Sequence, residues 1–300
     1  MELEDVIIFS PEFNEPLDIE LISNYKKVIF SDYVLDKDIF KAYMFDIFTK
    51  LIIQFSTFNQ EIKQLPQSIT QLTFGNDFNQ ELSQLSIISQ TLTHLTFGNY
   101  FNKEVNQLSQ SLTHLIFGMN FNQEVNVLPN SITNITFGFY FNRKVNNLPQ
   151  SITRLTFGFT FNQEIKQIFY INKSISNLTL DYRFNQKVDL PLTIVYLKLN
   201  CNNTYIIDHL SSNIKVLNLD WNFNLELNNL PSSIKKIFFH KESKYNKELN
   251  CLPKFVEQIQ LPKYYNKQIK KLPFQMKKII CHYKYIHIKD FNNCEIEIYY

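Results

Sequence analysis

The sequence predicts a β-rich repeat solenoid with parallel strands, one per coil, in about 14 units of 20–25 residues. Three observations carry that expectation. An aromatic-Asn pair recurs along nearly the whole 300-residue chain. Between the pairs stands an apolar pattern of strand type. All five glycines fall at a single position of the unit.

The pair occurs as Phe-Asn at Phe58, Phe78, Phe101, Phe121, Phe141, Phe161, Phe184 and Phe223, and as Tyr-Asn at Tyr245 and Tyr265. Most gaps are 20 residues; the long one, between Phe184 and Phe223, is divided by a degenerate unit at Asn203. Phe13-Asn14 and Tyr33 echo the pair early, and Tyr285 late. Such units are too short for a β-α-β crossover, so equivalent strands must stack in parallel. About six buried side chains per unit contribute roughly 10–15 kcal/mol. Ordering about 20 residues costs ~30 kcal/mol, so one unit cannot fold without neighbours on its two open faces.

In the unit FNQEVNVLPNSITNITFG (121–138), Ile132, Ile135 and Phe137 form I-x-x-I-x-F. Alternation along a strand turns Ile135 and Phe137 inward and Asn134 and Thr136 outward. Gly138 follows, then two variable positions, then Phe141-Asn142. Gly75, Gly98, Gly118, Gly138 and Gly158 share one position, where later units carry Asp181, Asn200 and Asp220. Gly, Asn and Asp tolerate positive φ, so the expectation is a structural, left-handed turn ending each strand. The repeated Asn is expected to bond the backbone of the adjacent coil and form a ladder.

Composition narrows the function classes. A net charge of +2 gives no global drive toward nucleic acid or an anionic membrane. The acidic start MELEDVIIFS is unlike a secretory signal, and no apolar run is long enough to span a bilayer. An intracellular, cytoplasmic protein is expected, without a membrane partner. Cys201, Cys251, Cys281 and Cys294 form no CxxC pair and read as free, mostly buried thiols. No metal or other cofactor is expected, and no phosphate-cradling glycine motif is present. The chain holds 34 Asn but one Ala and three Arg, a bias toward residues with AT-rich codons.

The consensus FNQ-(D/E/K)-(I/V)-x-x-LP-x-SI-T-x-L-T-FG resembles the FNIP repeat family, known mainly from amoebae and amoeba-infecting giant DNA viruses. The likeness is close from Phe58 to Phe161, good at 171–186 and 213–231, and weak at both ends. It implies a leucine-rich-repeat-like, curved solenoid acting as a protein-interaction scaffold, in the host cytoplasm if viral. Many viral members carry an N-terminal F-box, but here VIIFSPEFN (6–14) and LISNYKKVIFSDY (21–33) already echo the repeat. The non-repeat insertion DKDIFKAYMFDIFTKL (36–51) is a candidate capping helix, with Ile39, Tyr43, Ile47 and Leu51 on one face. One helix is too little for an F-box; a ubiquitin-ligase adaptor role through the N-terminal region is an alternative. The expected organisation is one continuous solenoid: degenerate repeats at 1–57, FNIP-type repeats at 58–231, and degenerate Lys-rich repeats at 232–300.

If the constant letters build the core, partners are read by the variable ones. The column before the central strand residue runs Gln71, His94, His114, Asn134, Arg154, Asn177, Tyr196, Val216, Lys236, Gln258 and Lys278, chemically mixed. His94 and His114 are register-matched neighbours. The column after it is mostly Thr, as β propensity explains. The positions after glycine carry Tyr100, Met119, Phe139, Tyr140 and Phe159, a candidate apolar contact row. The candidate partner-binding residues are His94, His114, Asn134, Arg154, Asn177, Tyr196, Phe139, Tyr140 and Phe159. Residues 235–290 hold 14 Lys against four acidic side chains, so binding of nucleic acid or an acidic partner by the C-terminal units is the second reading. Acidic residues at equivalent positions, such as Glu104 and Glu124, lie on connecting segments and are scattered as for a non-enzyme.

Overall fold

A computed structural model describes residues 5–30, 56–63, 65–82, 90–291 and 294–300. The expected capping helix at 36–51 lies outside these described residues. The chain divides into two compact units, residues 1–151 and 152–300.

Among its described residues the first unit holds β1 (Val6–Phe9), β2 (Lys27–Phe30), β3 (Gln71–Thr73), β4 (His94–Thr96), β5 (His114–Ile116) and β6 (Asn134–Thr136), with one short helix, α1 (Ile19–Ile22). Each strand pairs in parallel with the next in sequence. The second unit holds β7 (Arg154–Thr156), β8 (Asn177–Leu180), β9 (Tyr196–Leu199), β10 (Val216–Leu219), β11 (Lys236–Phe239), β12 (Gln258–Gln260), β13 (Lys278–His282) and β14 (Glu295–Tyr299), again paired in parallel and in chain order. Each unit is therefore a parallel solenoid with one strand per coil, as the repeat requires.

The L-P-x-S-I segment makes the turn that admits each strand. Pro129 O accepts the Ile132 N–H, and Pro66, Pro231 and Pro253 do the same for the residue three on. The chain then enters the ladder: Thr113 O accepts both the Thr133 and Asn134 N–H groups, and the Thr133 hydroxyl adds a third bond. Leu72, Leu95, Leu115 and Ile135 point inward and are fully buried.

Phenylalanine supplies most of the remaining core in the first unit. The strand-exit rings Phe97 and Phe117 stack on the Phe-Asn rings of their own coil, Phe101 and Phe121, at 3.8 and 3.7 Å. Each ring also stacks on its equivalent in the next coil, 5.7 Å away along one column and 6.1 Å along the other. In the second unit the strand-exit position passes to Leu180, Leu199 and Leu219, all buried. There Asn203 fills a Phe slot, capping α3 (Thr204–Asp208) by accepting the Ile206 N–H. The connecting segment before β8 is a helix, α2 (Lys166–Ile171), where other units have the L-P turn.

The asparagines form the ladder expected of them. Asn79 N–H donates to Asn59 Oδ1, Asn102 to Asn79, Asn122 to Asn102 and Asn142 to Asn122, each at 2.9 Å. The second unit repeats it from Asn185 to Asn162 and from Asn266 to Asn246, at 3.0 Å. Gln80, Gln123 and Gln186 side chains donate to the backbone carbonyl of the same Asn, so one residue serves two bonds across the coils.

The glycines require a correction. Gly75, Gly98, Gly118 and Gly138 lie outside the left-handed φ region, so turn conformation does not select them. Space does. A Cβ on Gly98, Gly118 or Gly138 would lie 1.9, 2.0 or 1.8 Å from the carbonyl oxygen of the glycine one coil below. That atom is backbone and cannot swing aside. Cysteine burial is also uneven: Cys201 and Cys281 are buried, with thiols pushed up to about 12 and about 11, whereas Cys251 is exposed.

Gly118→Ala is expected to destabilise the first unit by about 2–3 kcal/mol through overpacking, read as a lowered urea midpoint; an unchanged midpoint would show that the coils can separate at this point. Tyr245 is a second test. It is 1% exposed, and its hydroxyl has no hydrogen-bond partner among the described residues. Tyr245→Phe removes an unsatisfied buried group at nearly constant shape and should raise stability by about 1 kcal/mol.

Candidate interaction surfaces

The register of the strands places the expected outward columns side by side. In the first unit Lys27, Gln71, His94, His114 and Asn134 are successive Cα partners. In the second, Arg154, Asn177 and Tyr196 are successive partners, followed by Val216, Lys236, Gln258 and Lys278. Thr73, Thr96 and Thr136 line the next column, with Ile116 exposed among them.

His94 and His114 meet. Their rings stack with centroids 4.1 Å apart and 11° between planes. The preceding threonine braces each ring, since Thr93 and Thr113 hydroxyls sit 2.9 Å from the Nδ1 of His94 and His114. Partial burial lowers the pKa of His94 from 6.5, with His114 and Lys27 adding to the effect. No carboxylate causes any part of that shift. Further along, Tyr196 accepts from Asn218 Nδ2 at 3.1 Å, and Asn177 Oδ1 accepts from Ser176 Oγ at 2.9 Å. Those side chains are held in place before any partner arrives.

The row after glycine points outward. Tyr100, Met119, Phe139 and Tyr140 are 52%, 43%, 37% and 50% exposed. Backbone bonds fix their spacing: Tyr100 N–H donates to Asn76 O, and Tyr140 N–H to Met119 O, both at 2.9 Å. Phe139 meets Tyr140 edge-on at 4.8 Å. In the second unit Phe159 is half-buried, stacked on Tyr182 at 4.7 Å with the Arg183 guanidinium over its face. Trp221, at the same repeat position, is strongly exposed and was not among the residues expected from sequence. Its signal was available: Trp221 follows Asp220, the residue standing in for glycine.

The Lys-rich C-terminal units carry less open charge than their composition suggests. Glu257 takes Lys235 and Lys277 at 3.2 and 2.6 Å, which lowers its own pKa. Lys278 sits between Glu295 and Glu297 at 2.9 and 2.7 Å, so its pKa is raised. Both glutamates lie beyond the 235–290 stretch in which the lysine excess was counted. A polar cavity of about 540 Å³ lies over Glu81, Asn102, Glu104 and Gln123 on the connecting side. Among the described residues, no group of three or more His, Cys, Asp or Glu could hold a metal ion. Nor is any described helix long and apolar enough to cross a membrane.

The FNIP Repeat family matches residues 58–87, 104–140, 141–169 and 202–242. Among solved structures, the chain is similar to CroV588 of the giant virus CroV, described as a novel circular LRR protein, with 28% identity and a TM-score of 0.66. That match covers 93% of this chain and 47% of the other, so the chain spans about half the length of its structural neighbour. The functional domain of InlJ from Listeria monocytogenes matches at 12% identity and a TM-score of 0.43, over 94% of this chain and 61% of that one. No curated protein matches.

His94 is expected to stay neutral at pH values where an exposed imidazole is half protonated. Its folded pKa is lowered, so the unfolded chain binds the proton first, and the contribution to stability is full above about 6.5 and lost as pH falls through the folded value. Thermal unfolding from pH 7.5 to 5 should therefore fall more steeply for the native chain than for His94→Gln; parallel curves would contradict the assignment.

Proposed function

We propose, from the match of four stretches of this chain to the FNIP Repeat family, that it is a non-enzymatic scaffold binding other proteins through its variable outward residues. The observation that carries the reading is the division of labour within the coil. Buried apolar positions and the Asn ladder recur from coil to coil, with glycine after the strand from Gly75 to Gly158, whereas the strand-face column and the row after that position change. Binding specificity needs differing side chains on a rigid support, and these two surfaces provide them.

In the first unit, the proposed contact residues are His94, His114 and Asn134 on the strand face and Phe139 and Tyr140 on the edge. In the second, they are Arg154, Asn177 and Tyr196 on the face and Phe159 on the edge. Exposed aromatic side chains and arginine are the residue types that anchor protein interfaces. A protein partner suits this surface better than nucleic acid does, because Lys278 on the strand face, and Lys235 and Lys277 just before their strands, already have carboxylate partners. A role as a substrate receptor for host pathways is the finer form of the same proposal.

Affinity purification of the chain from its native cell, with mass spectrometry, tests the reading. Tyr140→Ala and Arg154→Ala are each expected to weaken a specific partner on the order of thirtyfold, as removal of an anchor worth about 2 kcal/mol does. Full retention of every partner by both folded variants would exclude these surfaces.

A further inference from the structure

Thr93 and Thr113 each make two contacts through one hydroxyl. Thr93 Oγ1 donates to Thr70 O at 3.0 Å and lies 2.9 Å from His94 Nδ1. One coil on, Thr113 Oγ1 donates to Thr93 O at 3.0 Å and lies 2.9 Å from His114 Nδ1. A hydroxyl has one proton, and a carbonyl can only accept. The bond to the carbonyl does not depend on a histidine. Thr70 and Thr133 donate to Lys26 O and Thr113 O in the same way, and their next residues are Gln71 and Asn134. The threonine proton is therefore committed to the backbone, and the second contact closes only if Nδ1–H donates to Oγ1. That fixes both neutral imidazoles as the Nδ1–H tautomer, with the lone pair on Nε2.

The two Nε2 atoms then stand side by side. Rings 4.1 Å apart and 11° from parallel, braced in the same way, direct their lone pairs along nearly the same line. Parallel lone pairs do not converge on one point, as the ligands of a shared metal ion must. Once protonated, they become two parallel N–H donors, an arrangement that the two oxygens of one carboxylate can accept. Among the described residues, the neighbours on this face supply no carboxylate. Gln71 on β3 and Asn134 on β6 flank the pair, and neither titrates. Lys27 on β2 stands in the same column, next to Gln71, and is cationic. Asp5, before β1, is held by Lys26 at 2.6 Å. Partial burial, His114 and Lys27 together lower the pKa of His94, so without an anion this ring is mostly neutral at pH 7.

Resting on the reading of this face as a protein-binding surface, we infer that His94 and His114 form one carboxylate site, which takes an acidic side chain of the partner together with a proton from solvent. Two adjacent imidazoles resist carrying charge together, and a carboxylate spanning both Nε2–H groups relieves that repulsion. Lys27 adds attraction of the same sign. The coupling is reciprocal: a bound carboxylate raises the histidines' affinity for protons, and protons raise the affinity for the carboxylate. Because the bound state has the higher pKa, affinity is weakest in alkali. It grows as pH falls through the bound pKa and levels off below the free one. Acidic partners are thereby taken up or released over a pH range set by the histidines.

Nitrogen-15 NMR on the full native chain tests the tautomer. At pH 7.5 both rings are expected to carry the proton on Nδ1, and an Nε2–H ring at either position overturns the inference. Calorimetry with an acetylated, amidated hexaglutamate peptide tests the site. The peptide stays largely ionised at pH 5.5, about one unit above the ordinary glutamate pKa. Its binding should tighten at least about tenfold from pH 7.5 to 5.5, with proton uptake. The double variant His94→Gln/His114→Gln, shown to be folded by circular dichroism, should lose that gain and keep only a pH-independent attraction to lysines. Equal affinity of the native chain at both pH values overturns the inference, as does the same gain in the folded double variant. Neither failure touches partner capture through Tyr140 and Arg154 at pH 7.5, so it is distinguishable from failure of the scaffold reading.

Discussion

The bond from each repeat asparagine to the next sets the rest of the structure. An Asn Oδ1 in one coil accepts the backbone N–H of the equivalent Asn in the following coil, 2.9 Å away from Asn59 through to Asn142. This segment lies off the strands, where the backbone would otherwise have no periodic partner. Because donor and acceptor recur at the same point of every coil, adjacent coils are held at one height. That height is the spacing at which equivalent phenyl rings stack and a glycine carbonyl touches the glycine above it. An alternative residue at the Asn position would lose the bond; a larger residue at the glycine would force the coils apart.

Much of this was legible in the sequence, and the reasons are physical. Ile135 and Phe137 alternate with Asn134 and Thr136, and alternation assigns the faces of a strand without further information. The 20-residue period then fixes which side chains become neighbours, so the meeting of His94 and His114 followed from counting. Glycine was legible as a constraint, but its cause was not. A left-handed turn and a contact too close for a Cβ select the same residue, and only the positions of the carbonyls of Gly75, Gly98 and Gly118 distinguish them. The ion pairs of Lys278 were hidden for another reason: Glu295 and Glu297 sit in a degenerate final unit whose register the aromatic-Asn anchor does not mark. Likewise α2 and α3 replace turns in units where the consensus has decayed.

The same register that builds the core disciplines the surface. Each coil contributes one residue to the strand-face column and two to the edge after glycine, at positions fixed by backbone bonds such as Tyr140 N–H to Met119 O. Side chains can therefore change there without disturbing the packing beneath them. Threonines bracing the histidines and Asn218 bonded to Tyr196 hold part of that surface ready. A rigid support with freely varying contacts is what a recognition scaffold needs, and it asks nothing of catalytic groups.

Hydrogen exchange at the amide of Asn142 tests most directly whether the asparagine ladder holds the coils in register. In Asn122→Ala that amide loses its acceptor, and its exchange should accelerate roughly fivefold or more, the equivalent of about 1 kcal/mol, with Asn102 affected less. Unchanged protection at Asn142 in the folded variant would contradict the account, because coil spacing would then rest on ring stacking and strand pairing alone.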